Sequence, residues 1–129
     1  MTTLGVGVDI VDVARFALAI QRHPRLAERL FTDAERRDAR SRPERLAARF
    51  AAKEAVLKTL RVGLGATTWR SIEVRSLPDG APTIQLHGPA AALAAEQGVG
   101  QWHVSLTHTR WSAAAFVVAS SSAERSDAG

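Results

Sequence analysis

Apolar residues recur along the chain in two spacings, and each spacing predicts a different kind of element. Residues 4–10 form a short apolar run rich in β-branched side chains, which predicts a buried first strand. Alternating apolar and polar residues predict further strands in the second half of the chain. These lie at residues 69–77, 83–87, 102–107 and 113–119, with a turn at 78–80 between the first two.

Apolar residues three or four positions apart predict helices between these strands, and several helix starts carry capping residues. Asp12 is a candidate N-cap for the first helix. Thr32 and Glu35 have the spacing of a capping box, and Pro43 suits the first turn of a long helix. Residues 25–31 and the alanine-rich residues 89–97 are further predicted helices.

This order of elements indicates an α+β domain in which a mostly antiparallel sheet packs with one long helix and several shorter ones. The 129 residues suffice for a single core, which we place at residues 1–120, and the polar residues 121–129 suggest a flexible tail. No apolar run approaches the roughly 20 residues that span a bilayer, and the sequence shows neither a secretory signal nor a cysteine. We therefore expect a cytoplasmic protein without a membrane partner.

The basic residues are concentrated in one region. Residues 22–61 contain 12 Lys and Arg against 6 Asp and Glu, whereas the rest of the chain has 5 against 7, which gives the net charge of +4. Such a region suggests an anionic partner, and nucleic acid, a phosphorylated small molecule and an acidic protein all fit. A solvated arginine-rich helix face fits the same composition, so charge alone does not choose among them.

Three charged residues of the long helix are candidates for chemistry. Lys53 falls among the apolar positions, where its ammonium either reaches outward to solvent, which is the commoner outcome, or meets a buried anion. Glu54 and Lys58 share the flank of that apolar face. Their spacing fits an ordinary surface ion pair, and spacing alone favours that interpretation over a binding site.

Asp9 closes the apolar first strand, where a carboxylate is costly unless it caps a helix, pairs with a cation or binds a metal. Because Asp12 is the better cap, Asp9 needs a cation. A carboxylate at a strand end, a second carboxylate on a helix and a lysine one turn later suit metal-assisted phosphoryl transfer. Asp9, Glu54 and Lys58 form such a set, although the pattern is not specific to that chemistry.

Polar side chains alternate along residues 103–109. His103, Ser105 and Thr107 share one face of the predicted strand. Either that face meets solvent, or its imidazole and hydroxyl groups face a phosphate-rich ligand. A Ser/His/Asp triad is a weaker alternative because no Gly-x-Ser-x-Gly elbow is present, and phosphate-loop, dinucleotide and zinc-ligand motifs are also absent.

Three segments, taken in order, resemble holo-acyl-carrier-protein synthase, the short single-domain type of 4'-phosphopantetheinyl transferase, nearly to the end of the chain. The segments are 5–10 followed by Arg15, 49–55 followed by Lys58, and 103–109 followed by 113–115. The resemblance implies that a serine of an apo acyl carrier protein attacks the β-phosphate of coenzyme A, as in fatty acid biosynthesis. The serine would receive 4'-phosphopantetheine, and adenosine 3',5'-bisphosphate would be released.

The resemblance also implies roles for residues around the reacting phosphate. Asp9 and Glu54 would ligate Mg²⁺, or Mn²⁺ in its place, and would form the catalytic set together with Lys58. Lys58 would also contact the coenzyme A pyrophosphate, and a metal-bound water or Glu54 would take the serine proton. Arg15 would bind the acidic carrier protein, which explains the uneven charge without nucleic acid.

The resemblance also implies which residues would bind the nucleotide part of coenzyme A. By the same resemblance, Arg49, Lys53, His103 and Ser105 would line the nucleotide site. The family is trimeric and its active sites are shared between neighbouring subunits. His103 and Glu54 therefore need not meet within one chain.

Two residues depart from the family pattern. They leave the metal and phosphate positions intact, but the identity of the carrier protein stays undecided. Arg61 stands where the family commonly has glycine, and Ser112, preceded by Trp111, stands where it commonly has tyrosine. One alternative is a homologue dedicated to the carrier of a polyketide or peptide synthase. Another is a homologue that has lost activity and only binds carrier proteins. A basic nucleic-acid-binding module is an alternative from a different class, but it would not explain Asp9 and Glu54.

Overall fold

The computed structural model describes residues 1–63 and 65–122. The strands across these residues are β1 (Thr3–Asp12), β2 (Ile72–Ser76), β3 (Pro82–Leu86), β4 (Val99–His108) and β5 (Ser112–Ser121). The α-helices are α1 (Val13–Arg22), α2 (Leu26–Leu30), α3 (Asp33–Asp38), α4 (Pro43–Thr59) and α5 (Gly88–Glu96).

Side-chain caps set the starts of α1 and α3, as the sequence predicts. The Asp12 carboxylate accepts a hydrogen bond of 2.8 Å from the backbone N–H of Arg15, which caps α1. In α3 the Thr32 hydroxyl accepts from the Glu35 N–H at 3.1 Å, and the Glu35 carboxylate accepts from the Thr32 N–H at 3.0 Å. Both halves of the capping box are therefore present, and Pro43 is the first residue of α4.

The strands form two antiparallel sheets, which confirms the α+β class. One sheet has the strand order β1-β5-β4, and the other pairs β2 with β3. The predicted strand 69–77 begins later than expected, because Trp69–Ser71 forms a turn of 3₁₀-helix before β2 starts. β5 includes Ser121, and residues 123–129 of the predicted tail lie outside the described residues.

Helix α4 crosses the inner face of the three-stranded sheet and supplies more of the buried apolar residues than any other element. Small residues of α4 and β5 are fully buried against each other, including Ala51, Ala55, Val56, Ala115 and Val117. Two glycines let β1 approach α4 closely. A Cβ atom at Gly7 would overlap the carbonyl oxygen of Ala55, and one at Gly5 would lie 2.8 Å from that of Thr59.

The prediction of a buried first strand is wrong for one face of β1. Gly7 and Asp9 face α4, whereas Val8 is 59% exposed on the other face of the sheet, beside Val6 and Ile10. β5 places Phe116, which is 49% exposed, on the same outer face. An apolar face of the sheet is thus left uncovered by this chain.

No helix within the described ranges is long and apolar enough to cross a bilayer.

Candidate active site

Asp9 and Lys58 meet where β1 crosses α4. The Lys58 ammonium donates to the Asp9 carboxylate at 2.8 Å and to the carbonyl oxygen of Val8 at 3.1 Å. Asp9 is largely buried, and its hydrogen bond to Lys58 raises the pKa of that lysine. The sequence-based requirement that Asp9 find a cation is confirmed. Lys58 pairs with Asp9, and the expected surface pair between Glu54 and Lys58 does not form.

Glu54 lies one turn before Lys58 on α4, next to the Asp9 carboxyl group. Burial and, after it, the Asp9 carboxylate raise the pKa of Glu54 from 4.5 to about 7, and Lys58 opposes this shift only in part. Two carboxylates held this close repel each other unless a proton or a cation lies between them. The pair therefore has the electrostatic character of a cation site.

The donor set fits a small divalent cation that takes its remaining ligands from elsewhere. Among the residues that the structure describes, no group of three or more His, Cys, Asp or Glu is placed to hold a metal. Mg²⁺ is commonly bound by one or two carboxylates together with waters and substrate phosphates. Asp9 and Glu54 match that pattern, since they supply two carboxylates beside open space.

That open space is a cavity of about 350 Å³ at the junction of β1, α1 and α4. Asp9 and Glu54 line it together with Arg15 of α1. Phe16 and Phe50 line it as well, and their ring centroids are 5.4 Å apart. The sequence analysis assigned neither aromatic ring a role in the site, because their periodic spacing is that of ordinary helix core.

Lys53 does not reach solvent as expected, and this placement corrects its predicted role in a nucleotide site. Its side chain and that of Glu35 are both 0% exposed, and its ammonium lies 2.8 Å from the Glu35 carboxylate. The same ammonium donates to the backbone carbonyl oxygens of Trp69 and Ile72. All three N–H donors are thus used inside the protein, which leaves none for a ligand.

Arg49 is also buried and lies away from the cavity that Asp9 and Glu54 line. Its guanidinium donates to the Ser76 hydroxyl at 3.2 Å and to the Arg45 carbonyl at 3.3 Å. Burial lowers the pKa of Arg49, although the Asp38 and Glu35 carboxylates oppose this. Within this chain Arg49 therefore faces β2, at a distance from the carboxylate pair.

His103 and Ser105 are exposed on the outer face of β4, as the alternation predicts. Ser105 lies opposite Phe116 of β5, which in turn lies opposite Val8 of β1. Asp9 is the next residue along β1 and faces α4 instead. A single chain therefore places His103 and Ser105 on the opposite side of the sheet from Asp9 and Glu54.

The comparison with known proteins identifies the family. The sequence profile described as the 4'-phosphopantetheinyl transferase superfamily matches residues 5–116. Holo-acyl-carrier-protein synthase of Frankia alni is 50% identical over 121 residues, covering 94% of this chain and 100% of that protein. The chain belongs to the 4'-phosphopantetheinyl transferase superfamily, which confirms the resemblance drawn from its three motifs.

Solved structures agree in fold over almost the whole chain. Helicobacter pylori holo-acyl-carrier-protein synthase in complex with coenzyme A has a TM-score of 0.82 at 29% identity, covering 89% of this chain and 99% of that one. The Bacillus anthracis synthase in complex with CoA (3',5'-ADP) has a TM-score of 0.77 at 30% identity, covering 95% and 100%.

Proposed function

We propose that this enzyme transfers the 4'-phosphopantetheine group of coenzyme A to a serine of an apo acyl carrier protein, releasing adenosine 3',5'-bisphosphate. The observation that carries the proposal is the carboxylate pair of Asp9 and Glu54 at an open cavity, with the Lys58 ammonium bonded to Asp9. Relatives named holo-acyl-carrier-protein synthase, some in complex with coenzyme A, support the choice of substrates.

Asp9 and Glu54 would hold Mg²⁺, or Mn²⁺ in its place. When bound, the ion would neutralise phosphate charge and make the phosphorus more electrophilic. Lys58 is held at the edge of this pair by Asp9 and Val8, so its ammonium is placed to offset charge on the departing phosphate.

The bond changes follow from the two substrates. The carrier serine oxygen forms a bond to the β-phosphorus of coenzyme A, and the bond from that phosphorus to the bridging oxygen breaks. Adenosine 3',5'-bisphosphate leaves with the bridging oxygen. Glu54 lines the cavity beside Asp9, so its carboxylate is placed to accept the serine proton.

The carrier protein would dock on the basic surface beside the cavity. Arg15 lines the cavity next to Asp9 and Glu54, which suits contact with acidic residues around the carrier serine. Arg22, Arg25 and Arg29 line a further cavity of about 600 Å³ at the end of α1. This basic surface favours an acidic protein, of fatty acid synthesis or of a polyketide or peptide synthase, and requires neither nucleic acid nor membrane.

A homotrimer would complete the active site. The outer face of the sheet carries exposed apolar residues next to His103 and Ser105. If a second copy covers that face, His103 and Ser105 come to lie at the boundary between subunits, where they can bind the nucleotide of a coenzyme A whose diphosphate lies beside the neighbouring subunit's carboxylate pair. This explains why polar ligand-binding side chains share a face with uncovered Val8 and Phe116.

The direct test is to incubate the protein with coenzyme A, Mg²⁺ and an apo carrier protein and to measure the intact mass of the carrier. We expect an increase equal to one phosphopantetheine group, located on a serine, and appearance of adenosine 3',5'-bisphosphate. Absence of transfer to carriers of fatty acid, polyketide and peptide synthases, with a folded protein present, would sink the proposal.

A further inference from the structure

Arg61 adopts a backbone conformation that residues with a Cβ atom rarely adopt. It follows the last turn of α4 with a φ of 58°, in the left-handed region. The N–H of Arg61 bonds to the carbonyl of Lys58 and the N–H of Val62 to that of Leu57, both at 3.1 Å. These two bonds form a complete Schellman motif, in which the left-handed position favours glycine.

The end of α4 does not need the Arg61 side chain. A cation after a helix can bind the last backbone carbonyls, but here three of those carbonyls have other partners. Leu57 and Lys58 accept from the loop backbone, and Leu60 accepts from the Gln97 side-chain amide at 2.8 Å. Across the described ranges, the Arg61 guanidinium makes no hydrogen bond or ion pair with the protein.

Arg61 shares a cavity with Lys58. This cavity, of about 250 Å³, is lined by the first residues of β1 and by both cationic side chains. No acidic residue lines it. The Lys58 ammonium contacts Asp9, which lines the cavity of the carboxylate pair, so Lys58 lies between the carboxylates on one side and Arg61 on the other.

We propose that Arg61 is a phosphate-binding residue of the active site, which acts with Lys58 on the diphosphate of the bound cosubstrate. The identity of that ligand rests on the proposed function. A diphosphate bound through a cation at Asp9 and Glu54 would meet Lys58 first, and Arg61 is the other cation that lines the cavity of Lys58. A guanidinium bonds two phosphate oxygens at once, which a lysine ammonium beside it does not.

The test compares two matched variants that each remove one positive charge. Arg61→Gln should raise the KM for coenzyme A and its dissociation constant about tenfold while kcat changes by less than about twofold, because a binding contact is lost and the chemistry is not. Arg37 lies on the exposed face of α3, so Arg37→Gln should leave the KM for coenzyme A, its dissociation constant and kcat unchanged. Arg61→Lys should recover only part of the affinity, because it keeps the charge and loses the two-point contact of the guanidinium.

Arg61→Gly separates the side chain from the backbone. Glycine adopts the left-handed conformation freely, so the thermal midpoint should be no lower than that of the unchanged protein. The coenzyme A affinity should nevertheless fall as much as in Arg61→Gln. An affinity that survives in Arg61→Gly would show that Arg61 does not contact the ligand, and would overturn the inference.

Titration calorimetry with coenzyme A and with inorganic pyrophosphate separates this inference from the proposed function. If the unchanged enzyme catalyses transfer and Arg61→Gln binds coenzyme A as tightly as it does, the role of Arg61 is overturned and the proposed function stands. Equal losses in Arg61→Gln and Arg37→Gln also overturn it, since net charge would then be the cause. Pyrophosphate binding that depends on Arg61 in a protein without transferase activity would support the phosphate site while refuting the proposed function.

Discussion

Lys53 and Glu35 form an ion pair of 2.8 Å in which neither side chain is exposed. The Glu35 carboxylate also accepts hydrogen bonds from the backbone N–H groups of Thr32 and Val74, both at 3.0 Å. This pair links α4 to α3 and β2, and Lys53 is the residue immediately before Glu54 on α4. It therefore fixes the helix that carries two of the proposed active-site residues.

Removing one partner of this pair should destabilise the fold strongly. We expect Lys53→Met to lower the free energy of unfolding by about 3–5 kcal/mol, because the Glu35 carboxylate is left buried and unpaired. Lys53→Met combined with Glu35→Gln should recover part of that loss, since the remaining group is neutral. Urea unfolding measures both effects.

The exposed pair between Arg36 and Asp33 provides the control for this experiment. Arg36→Ala should change the free energy of unfolding by less than about 1 kcal/mol, as is usual for a solvent-exposed ion pair. If Lys53→Met cost no more than Arg36→Ala, the buried pair would not have the structural role described above.

The Lys53 pair illustrates which features the sequence reveals and which it does not. The caps at Asp12 and Thr32 join atoms three residues apart, and both are confirmed. Glu35 and Lys53 are 18 residues apart, and their contact depends on how α3 packs against α4. Local patterns identify Glu35 only as part of a capping box, so its second partner could not be predicted.

The candidate site was predictable to a different degree at each residue. Burial alone requires a cation for Asp9. Glu54, by contrast, fits an ordinary surface ion pair until the structure shows the Asp9 carboxyl group beside it. The wrong prediction of a buried first strand has a physical cause: Val6, Val8 and Ile10 are apolar although this chain leaves them exposed. A hydrophobic pattern cannot distinguish burial within one chain from burial between copies.

The carboxylate pair should be essential for transfer. We expect Asp9→Ala and Glu54→Ala to lower kcat/KM at least about 10²-fold, because each removes a charged group aimed at the reacting phosphate. Both variants should stay folded, since Glu54 is under electrostatic repulsion and its loss relieves it. Transfer is measured by the carrier mass shift, with circular dichroism as the check of folding. Full activity in Glu54→Ala would mean that Glu54 is not a ligand.

The raised pKa of Glu54 predicts a pH dependence of stability in metal-free buffer. Between 4.5 and about 7 the folded state holds a proton on Glu54 that the unfolded state has released. The contribution of this group is therefore most favourable at low pH and is lost as pH rises through about 7. The thermal midpoint of the unchanged protein, relative to Glu54→Gln, should fall over this interval in the presence of a chelator.

Adding Mg²⁺ should reverse that trend, because a cation between Asp9 and Glu54 favours the ionised carboxylates. The unchanged protein should gain thermal stability at pH 8 on addition of Mg²⁺, and Glu54→Gln should gain less. A parallel pH dependence in both proteins would show that the two carboxyl groups do not interact as the geometry indicates.

Arg15 should act on the carrier protein and not on coenzyme A. We expect Arg15→Ala to raise the KM for the carrier about tenfold, since a contact to an acidic partner is lost, and to leave the KM for coenzyme A unchanged. Higher ionic strength should weaken carrier binding by the unchanged enzyme more than by Arg15→Ala. Steady-state kinetics with each substrate varied in turn separates these effects, and an equal rise in both KM values would contradict the assignment.

If the protein forms the proposed homotrimer, the outer sheet face should hold the subunits together. Phe116→Glu introduces a charge on that face and should convert the trimer to a folded monomer with little activity, as seen by light scattering. Leu77→Glu is the matched control, because Leu77 is 46% exposed and lies after β2, away from the three-stranded sheet. A trimer that withstands Phe116→Glu would place the interface elsewhere.

Mixed trimers test whether active sites are shared between subunits. Glu54→Ala and His103→Ala should each be inactive alone, because each damages every site. When the two are unfolded and refolded together in equal amounts, random assembly should restore roughly a quarter of the original activity, since some sites receive an intact Glu54 from one subunit and an intact His103 from its neighbour. If both residues of a site came from the same chain, mixing would restore nothing, and the opposite placement of His103 and Asp9 across the sheet would need another explanation.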